Sequence, residues 1–385
     1  MGGETALDGL ELGYDIPARP GIPEAEIQTP CLVVDLDALE RNILRMKEIC
    51  ADMGVRHRVH AKTHRSADIA RLQIETGGAV GVCCQKVAEA EALAREGIKD
   101  ILVTNQVRDP AKIERLAALP KLGTRVLVCI DDPVNVGELS KACTLAGTGL
   151  EALVEIDCGA GRCGVPAGQP AVDLARKIAD APGLSFAGLQ AYQGSAQHIR
   201  GYKERREAIR QAIIQVRETV ALLEAEDLRC EIIGGAGTGS YYFEGTSGIY
   251  NEIQAGSYIF MDADYQRVLD KGDQPISTFE NALFVLTSVM STAQPMAAIC
   301  DAGLKAHSVD SGMPYVFGHP EMKVLGCSDE HTVLADPSKT AAINDRLRLV
   351  PGHCDPTCNL HDWFVGVRNG VVEVLWPVTA RGKGY

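Results

Sequence analysis

No apolar run in this sequence approaches the roughly 20 residues that a membrane-spanning helix requires. Residues 1–6 have no apolar core of the kind that secretory signals carry. No long basic segment offsets the net charge of −13, which argues against a nucleic-acid partner. These absences predict a cytoplasmic protein that binds neither membranes nor nucleic acids.

The sequence also lacks a Cys-x-x-Cys pair, so a zinc ribbon is not expected. Its 13 cysteines are an odd number, and several lie in apolar, strand-like runs, among them Cys83, Cys129 and Cys300. Buried thiols of this kind stay reduced in the cytoplasm. We therefore expect free cysteines and no disulfide framework.

Apolar, strand-like runs alternate with helical stretches through the first two thirds of the sequence. The predicted strands are 57–62, 79–84, 100–105, 125–130, 151–157, 185–192, 230–236 and 251–258, and the predicted helices are 65–76, 86–96, 109–118, 133–146, 169–180 and 202–226. Eight such strands predict an α/β fold, a (β/α)8 TIM-like barrel. A doubly wound sheet would fit six units about as well, so the count of eight decides between them.

After about residue 270, short runs separated by turn residues replace this alternation and predict a compact β domain. We divide the sequence into three parts. They are an N-terminal arm and strand (1–36) that packs with the β domain, a barrel (37–270) and a C-terminal β domain (271–385).

In such a barrel, functional residues lie at the C-terminal ends of the strands. Lys62 ends the first predicted barrel strand and is surrounded by histidine and arginine. Neighbouring cations and partial burial lower the pKa of a lysine, and only the neutral amine attacks a carbonyl. Lys62 is therefore a candidate Schiff-base lysine; the alternative is a basic strand end on the surface.

Two glycine-rich segments, 234–240 and 256–258, follow the last two predicted strands. Glycines let the backbone approach an anion closely, and hydroxyl groups add donors. The loops after the last two strands of a barrel commonly bind phosphate. We therefore predict a phosphate site, although a pair of tight turns would leave the same pattern. The candidate residues are Gly237, Thr238, Gly239, Gly256, Ser257 and Tyr258.

Residues 159–164 match the dinucleotide-binding pattern G-x-G-x-x-G. We interpret the match as coincidental, because it follows a late strand and Pro166 stands where the helix should begin. Arg162, a fixed cation within this glycine loop, is the more informative residue. A true dinucleotide site would instead predict a nicotinamide-dependent oxidoreductase.

His353 and Asp355 stand two residues apart in the β domain. On a strand, residues at this spacing face the same side and can bind one ion. An imidazole and a carboxylate with open positions suit Mg²⁺, Mn²⁺ or Co²⁺ better than a closed zinc site. The alternative is a turn with a structurally satisfied histidine.

Eight segments together carry a resemblance to a known family. They are 29–37, 60–64, 81–87, 155–164, 190–194, 234–240, 254–262 and 351–357. From about residue 10 to the C-terminus, the sequence resembles the D-threonine aldolase / 3-hydroxy-D-aspartate aldolase family, and most closely the 3-hydroxy-D-aspartate aldolase branch. These are pyridoxal-phosphate enzymes of the alanine-racemase fold (fold type III), with a barrel and a C-terminal β domain.

The resemblance implies a role for each candidate residue. Lys62 would bind pyridoxal 5'-phosphate covalently, and His353 and Asp355 would bind a divalent metal. His198 would act as the base near that metal. Gln85, Arg162, Tyr192, Thr238, Gly256 and Ser257 would contact the cofactor, with Arg162 on the pyridine side, Tyr192 supporting the ring and the last three around the phosphate.

The implied reaction is retro-aldol cleavage of a small D-3-hydroxy amino acid. 3-Hydroxy-D-aspartate would give glycine and glyoxylate, and D-threonine would give glycine and acetaldehyde. The implied assembly is a homodimer in which the β domain of one subunit meets the barrel mouth of its partner. The closest alternative is a D-serine or D-threo-3-hydroxyaspartate dehydratase, where a cysteine replaces Asp355. A racemase would need no metal pair, and a non-catalytic pyridoxal-phosphate protein would be a lone barrel.

Overall fold

The computed structural model describes residues 7–385. The chain first forms strand β1 (Cys31–Asp35) and helix α1 (Leu36–Met53). The Asp35 carboxylate caps this helix by accepting a hydrogen bond from the N–H of Ala38 at 3.0 Å. Apolar residues at helical spacing bury one face of α1 against the core.

Eight parallel strands then form a closed barrel. They are β2 (Arg56–His60), β3 (Gly81–Cys84), β4 (Asp100–Val103), β5 (Arg125–Ile130), β6 (Leu150–Asp157), β8 (Leu184–Ala191), β9 (Ile232–Gly235) and β10 (Glu252–Ile253), and a two-residue strand, β7 (Val165–Pro166), pairs with the end of β6. Pairing of β5 with β6 and of β10 with both β2 and β9 closes the ring. The predicted barrel of eight strands is confirmed.

Helices cover the outside of this barrel. They are α2 (Ala67–Glu75), α3 (Val87–Arg95), α4 (Pro110–Ala118), α5 (Pro133–Ala146), α6 (Gln169–Ala179), α7 (Tyr202–Ala225) and the short α8 (Tyr241–Gly245). Each of the six predicted helices agrees with the structure within two residues at either end. Helix α6 begins at Gln169, well after the glycines of the loop 159–164, so the dinucleotide pattern lacks its helix.

The rest of the chain forms a second, mixed sheet of nine strands that includes β1. Its other elements are β11 (Leu283–Ser291), β12 (Ala297–Cys300), β13 (Tyr315–Val316), β14 (Val324–Cys327), β15 (Thr332–Ala335), β16 (Arg346–Val350), α9 (Cys354–Cys358), β17 (Trp363–Arg368) and β18 (Val371–Pro377). Strand β1 lies between β11, which is antiparallel to it, and β17, which is parallel. The sequence did not indicate β14 and β15, whose short runs are partly exposed.

Two large apolar cores organise the molecule. One lies between the barrel strands and the surrounding helices. The other joins α1, the loop after β10 and the second sheet, so it anchors the sheet to the mouth of the barrel. All 13 cysteines are free thiols, as predicted. Within residues 7–385, no helix combines the length and the apolar character needed to cross a membrane.

Candidate active site

A cavity lies at the C-terminal ends of the barrel strands. Eight of the residues predicted from the sequence line it: Lys62, Gln85, Arg162, Tyr192, Gly237, Thr238, Gly256 and Ser257. Asp355 is at its edge, hydrogen-bonded to Lys62, whereas His198, Gly239, Tyr258 and His353 do not line the cavity itself. The fold thus gathers most of the predicted residues into one place.

Lys62 lies in a single 3₁₀ turn, Ala61–Thr63, that directly follows β2. Its Nζ is 3.0 Å from Oδ2 of Asp355 in the first turn of α9. The Asp355 carboxylate raises the pKa of Lys62 above its usual value and outweighs the opposing effect of burial. The expectation of a lowered pKa is therefore wrong for this structure, because folding brings a carboxylate from the far end of the chain to the lysine.

His353 and Asp355 do not lie on a strand, contrary to the spacing argument. Strand β16 ends at Val350, and His353 is the N-cap residue of α9. The helical turn nevertheless places Nε2 of His353 4.0 Å from Oδ1 of Asp355. An imidazole nitrogen facing a carboxylate oxygen fits a divalent cation. For the described residues, 7–385, no cluster of three or more histidine, cysteine, aspartate or glutamate side chains forms a metal site.

A second carboxylate approaches His353 from the other side. Oδ2 of Asp310 is 2.9 Å from Nδ1 of the ring. Burial lowers the pKa of His353, but Asp355 and Asp310 outweigh it and raise that pKa above its usual value. Sequence reasoning missed Asp310, because nothing in the spacing between residues 310 and 353 indicates a contact.

His198 ends a short 3₁₀ helix, Gly194–His198, after β8. Its side chain is 60% exposed, and its Nδ1 lies 3.0 Å from Oδ2 of Asp264, which is only 5% exposed. Asp264 also pairs with Arg200 and Arg267. A buried carboxylate thus orients an accessible imidazole, the arrangement of a general base and its orienting group. Asp264 is the second residue that the sequence did not reveal.

The glycine-rich loops form a cradle of free hydrogen-bond donors. Among the residues that the structure describes, the backbone N–H groups of Thr238, Gly256 and Ser257 donate to no acceptor. The hydroxyl of Thr63 beside them is buried and likewise without a partner in this part of the chain. A Cβ on Gly256 would lie 2.6 Å from that hydroxyl oxygen. Buried donors that need an acceptor fit the phosphate of pyridoxal phosphate.

Two residues of these loops, Gly239 and Tyr258, do not line the cavity but support the residues that form the cradle. The N–H of Gly239 donates to Oε1 of Gln197 at 3.0 Å, so it shapes the loop. The Tyr258 ring is buried against Phe279, and its hydroxyl accepts from Gln73 at 2.9 Å. Its N–H donates to Oγ1 of Thr238 at 3.0 Å. Tyr258 thus positions Thr238, and its side chain faces away from the cavity.

Arg162 and Tyr192, which also line the cavity, have features that suit a pyridine ring. The Arg162 guanidinium lies 5.8 Å from the centre of the Tyr192 ring and 3.7 Å from the buried Glu155. Burial raises the pKa of Tyr192, so the phenol stays neutral. A fixed amine, a phosphate cradle and a cation beside an aromatic ring together fit pyridoxal phosphate.

His60 lines the same cavity. The sequence did not identify it as a site residue, although it lies in the segment 60–64 that contains Lys62. Its Nε2 is 3.1 Å from Nε2 of Gln85 and 3.2 Å from Oγ1 of Thr104, and burial lowers its pKa to about 3. It is therefore neutral at physiological pH. Its spacing of two residues from Lys62 at the same strand end is a signal that could have identified it.

Comparisons with known proteins agree with this geometry. The family model of the alanine racemase N-terminal domain matches residues 34–264, and that of a putative serine dehydratase domain matches residues 282–367. A 3-hydroxy-D-aspartate aldolase of Paracoccus denitrificans (strain Pd 1222) is 59% identical over 387 residues, which cover 100% of both chains.

Solved structures show the same fold. The crystal structure of D-threonine aldolase from Filomicrobium marinum is 46% identical, with a TM-score of 0.92 over 96% of this chain and 100% of that one. A variant of D-threo-3-hydroxyaspartate dehydratase, solved in the metal-free form, is 25% identical, with a TM-score of 0.81 over 94% of this chain and 100% of that one. By full-length similarity and by fold, the chain belongs to the D-threonine aldolase and 3-hydroxy-D-aspartate aldolase family.

Proposed function

We propose that this protein is a pyridoxal-phosphate- and metal-dependent aldolase that cleaves 3-hydroxy-D-aspartate to glycine and glyoxylate. The 59% identity to the Paracoccus 3-hydroxy-D-aspartate aldolase over the whole chain favours this substrate. D-Threonine, cleaved to glycine and acetaldehyde, is the second candidate substrate, because the Filomicrobium relative is a D-threonine aldolase.

The observation that carries the proposal is the contact between Lys62 and Asp355. The candidate cofactor lysine and the candidate metal ligand approach within 3.0 Å. Asp355 and His353 would therefore hold a metal close to the lysine that would bind the cofactor. A metal held there would supply a Lewis acid for the 3-hydroxyl group of a D-3-hydroxy amino acid.

When bound, pyridoxal phosphate supplies an electron sink at Cα, and the divalent cation supplies a Lewis acid for the 3-hydroxyl group. The chain's own residues would move the proton and hold the reactants. The Asp264 carboxylate accepts from Nδ1–H of His198, so Nε2 is free to take the hydroxyl proton. As the Cα–Cβ bond breaks, Cβ becomes the aldehyde carbon, and the electron pair of that bond stays at Cα. A proton delivered to Cα then gives glycine.

The remaining residues would hold the reactants. The N–H groups of Thr238, Gly256 and Ser257 and the hydroxyl of Thr63 would bind the phosphate. Arg162 would stabilise negative charge on the pyridine side of the ring. His60, which is neutral and hydrogen-bonded to Gln85, would hold the Gln85 side chain in the orientation in which it contacts the cofactor.

A product assay tests the proposal. Purified protein is incubated with pyridoxal phosphate and Mn²⁺, with or without EDTA, and with either 3-hydroxy-D-aspartate or D-threonine. Glycine, ammonia and the aldehyde are quantified. We expect glycine with an equimolar aldehyde, no ammonia, loss of activity in EDTA and recovery on addition of Mn²⁺. The ratio of kcat/KM values for the two substrates identifies the preferred one.

The same assay separates the aldolase from a dehydratase on the same fold. Ammonia and oxaloacetate from 3-hydroxy-D-aspartate would contradict our proposal. The structure favours the aldolase, because the aspartate and not the neighbouring cysteine faces the lysine. Cys354 is fully buried in the apolar core, and burial raises the pKa of its thiol well above the usual value. A thiol in this environment is a poor metal ligand.

We further propose a homodimer in the cytoplasm. Exposed apolar side chains on or beside the second sheet would be covered by a partner; they include Met290, Met313, Phe317 and Leu325. The 13 free cysteines suit a reducing compartment. Light scattering at two protein concentrations measures the assembly; a monomer mass at both would refute the dimer.

A further inference from the structure

The imidazole of His353 is held between two carboxylates. Nδ1 lies 2.9 Å from Oδ2 of Asp310, and Nε2 lies 4.0 Å from Oδ1 of Asp355. The hydroxyl of Ser311 is 3.4 Å from the same Nδ1. A carboxylate at Nδ1 favours the tautomer that carries its proton there and leaves the Nε2 lone pair directed at Asp355.

The loop that carries Asp310 contacts the chain on both sides of His353, at Gly352 and at Thr357. The Ser308 hydroxyl donates to Oδ1 of Asp310 at 2.7 Å, and the Ser308 N–H donates to Oγ1 of Thr357, in α9, at 3.1 Å. Gly312 packs so closely on Gly352 that a Cβ on Gly352 would collide with the Gly312 carbonyl. The position of Asp310 relative to the His353 ring is therefore set by the fold.

The same loop is connected to the candidate base. The Arg267 guanidinium donates to the Ser311 carbonyl and, at 2.8 Å, to Oδ1 of Asp264, which holds His198. Arg200 also pairs with Asp264, but none of its hydrogen bonds reaches the loop 308–312. In the described chain, the imidazole of His353 and that of His198 thus share one hydrogen-bonded support.

We propose that Asp310 is a positioning residue of the metal site. Its hydrogen bond holds the His353 ring in the tautomer and orientation in which Nε2 and Asp355 bind one divalent cation. The inference rests on the proposed function, because it assumes that His353 and Asp355 bind a metal. Carboxylates behind metal-binding histidines commonly change metal affinity by about 10- to 100-fold.

The test measures metal binding directly, without catalysis. Protein loaded with pyridoxal phosphate is titrated with Mn²⁺, and free Mn²⁺ is followed by its electron paramagnetic resonance signal. For Asp310→Asn we expect a Kd about 10- to 100-fold weaker than that of the unmodified protein. The matched control is Glu321→Gln, which breaks another His–carboxylate pair (3.1 Å to Nδ1 of His319) on the surface, and its Kd should not change.

Repeating the titration in about 1 M KCl, where the screening length falls to about 3 Å, separates orientation from simple attraction. If the ratio of the Asp310→Asn Kd to the Kd of the unmodified protein persists in high salt, a positioning role is supported. If that ratio falls to about one, the positioning role is overturned. Equal Kd values for Asp310→Asn and the unmodified protein, or equal weakening in Glu321→Gln, also overturn it. Failure of the unmodified protein to bind Mn²⁺ would instead refute the metal site of the proposed function. An unchanged melting temperature of the metal-free variant excludes a folding defect.

Discussion

The carboxylate of Asp264 lies 3.0 Å from Nδ1 of His198 and pairs on its other oxygen with two arginines. The aspartate is almost fully buried, whereas the imidazole is mostly exposed. Ion pairing holds the pKa of Asp264 below its usual value despite its burial, so it stays charged and accepts from the ring. This hydrogen bond therefore restricts the orientation of the candidate base, His198.

We expect His198→Ala to lower kcat by about 10²- to 10⁴-fold, the usual contribution of a general base. Asp264→Asn should lower it by a smaller factor of about 10-fold, because the ring remains but loses its orientation. Steady-state kinetics with 3-hydroxy-D-aspartate measures both changes, and circular dichroism checks the fold. If Asp264 acts through His198, adding Asp264→Asn to His198→Ala should cause little further loss; fully additive losses would contradict that role.

Lys62→Ala should abolish activity, because no amine would remain to bind the cofactor covalently. The direct measurement is borohydride reduction of the loaded protein, followed by digestion and mass spectrometry. The unmodified protein should carry the pyridoxyl label on Lys62 and the variant should carry none. Lys86→Ala is the control, since Lys86 is an exposed lysine next to Gln85 and should affect neither label nor rate. A label on another lysine of the unmodified protein would contradict the assignment.

Gly256→Ala should weaken pyridoxal-phosphate binding by at least about 10-fold, because the new Cβ would lie 2.6 Å from Oγ1 of Thr63 and would crowd the phosphate cradle. Cofactor affinity is measured by titrating the cofactor-free protein and following its absorbance. Gly137→Ala is the matched control: Gly137 lies within α5, and its added Cβ would meet no atom within 4 Å. That control should bind the cofactor normally and gain up to about 1 kcal/mol of stability. Equal affinities in the two variants would show that the cradle tolerates the methyl group.

Glu244 predicts a pH dependence of stability. It is fully buried beside the glycine-rich loop 234–240, accepts a hydrogen bond from Ser240 at 2.8 Å, and burial raises its pKa to about 7. Its folded-state pKa exceeds the unfolded value of about 4.5, so the folded protein binds the proton more tightly. The resulting stabilisation is complete below about pH 4.5 and is lost as the pH rises through about 7. The loss is on the order of 3 kcal/mol.

Glu244→Gln keeps the shape of the side chain and removes this titration. Its melting temperature, compared with that of the unmodified protein, should rise at pH 8 and change little at pH 5. The exposed Glu218 on α7 provides the control, since Glu218→Gln should leave the pH dependence unaltered. If the melting temperatures of Glu244→Gln and of the unmodified protein change in parallel from pH 5 to pH 8, the prediction of a buried, titrating carboxyl group is contradicted.

The sequence predicted the barrel well, because the period of its apolar residues is a local property. The helix Pro133–Ala146, for example, has the predicted bounds, since Asp132 and Pro133 start it and Gly147 ends it. The irregular second sheet was harder. The strand Val324–Cys327 lies between turns and exposes Leu325, so its apolar pattern is weak.

Site chemistry that depends on distant pairs could not be predicted from spacing. The pKa of Lys62 is raised by Asp355, a contact that exists only after α9 packs at the mouth of the barrel. The contact between His353 and Asp310 joins two residues that are 43 positions apart in the sequence. The strand argument for His353 and Asp355 is wrong about the local structure, because the strand ends at Val350, before Pro351 and Gly352, and a helical turn brings the two side chains together instead.

The position of β1 constrains how the chain folds during synthesis. This strand is made first, yet its neighbours, β11 and β17, are made only after the whole barrel. The barrel strands between Arg56 and Ile253 follow one another without interruption, so the barrel can form while β1 is still unpaired. Helix α9, which carries Asp355 and follows its N-cap residue His353, precedes β17 and is among the last segments to leave the ribosome. The barrel strands can therefore pair before the candidate metal ligands are synthesised.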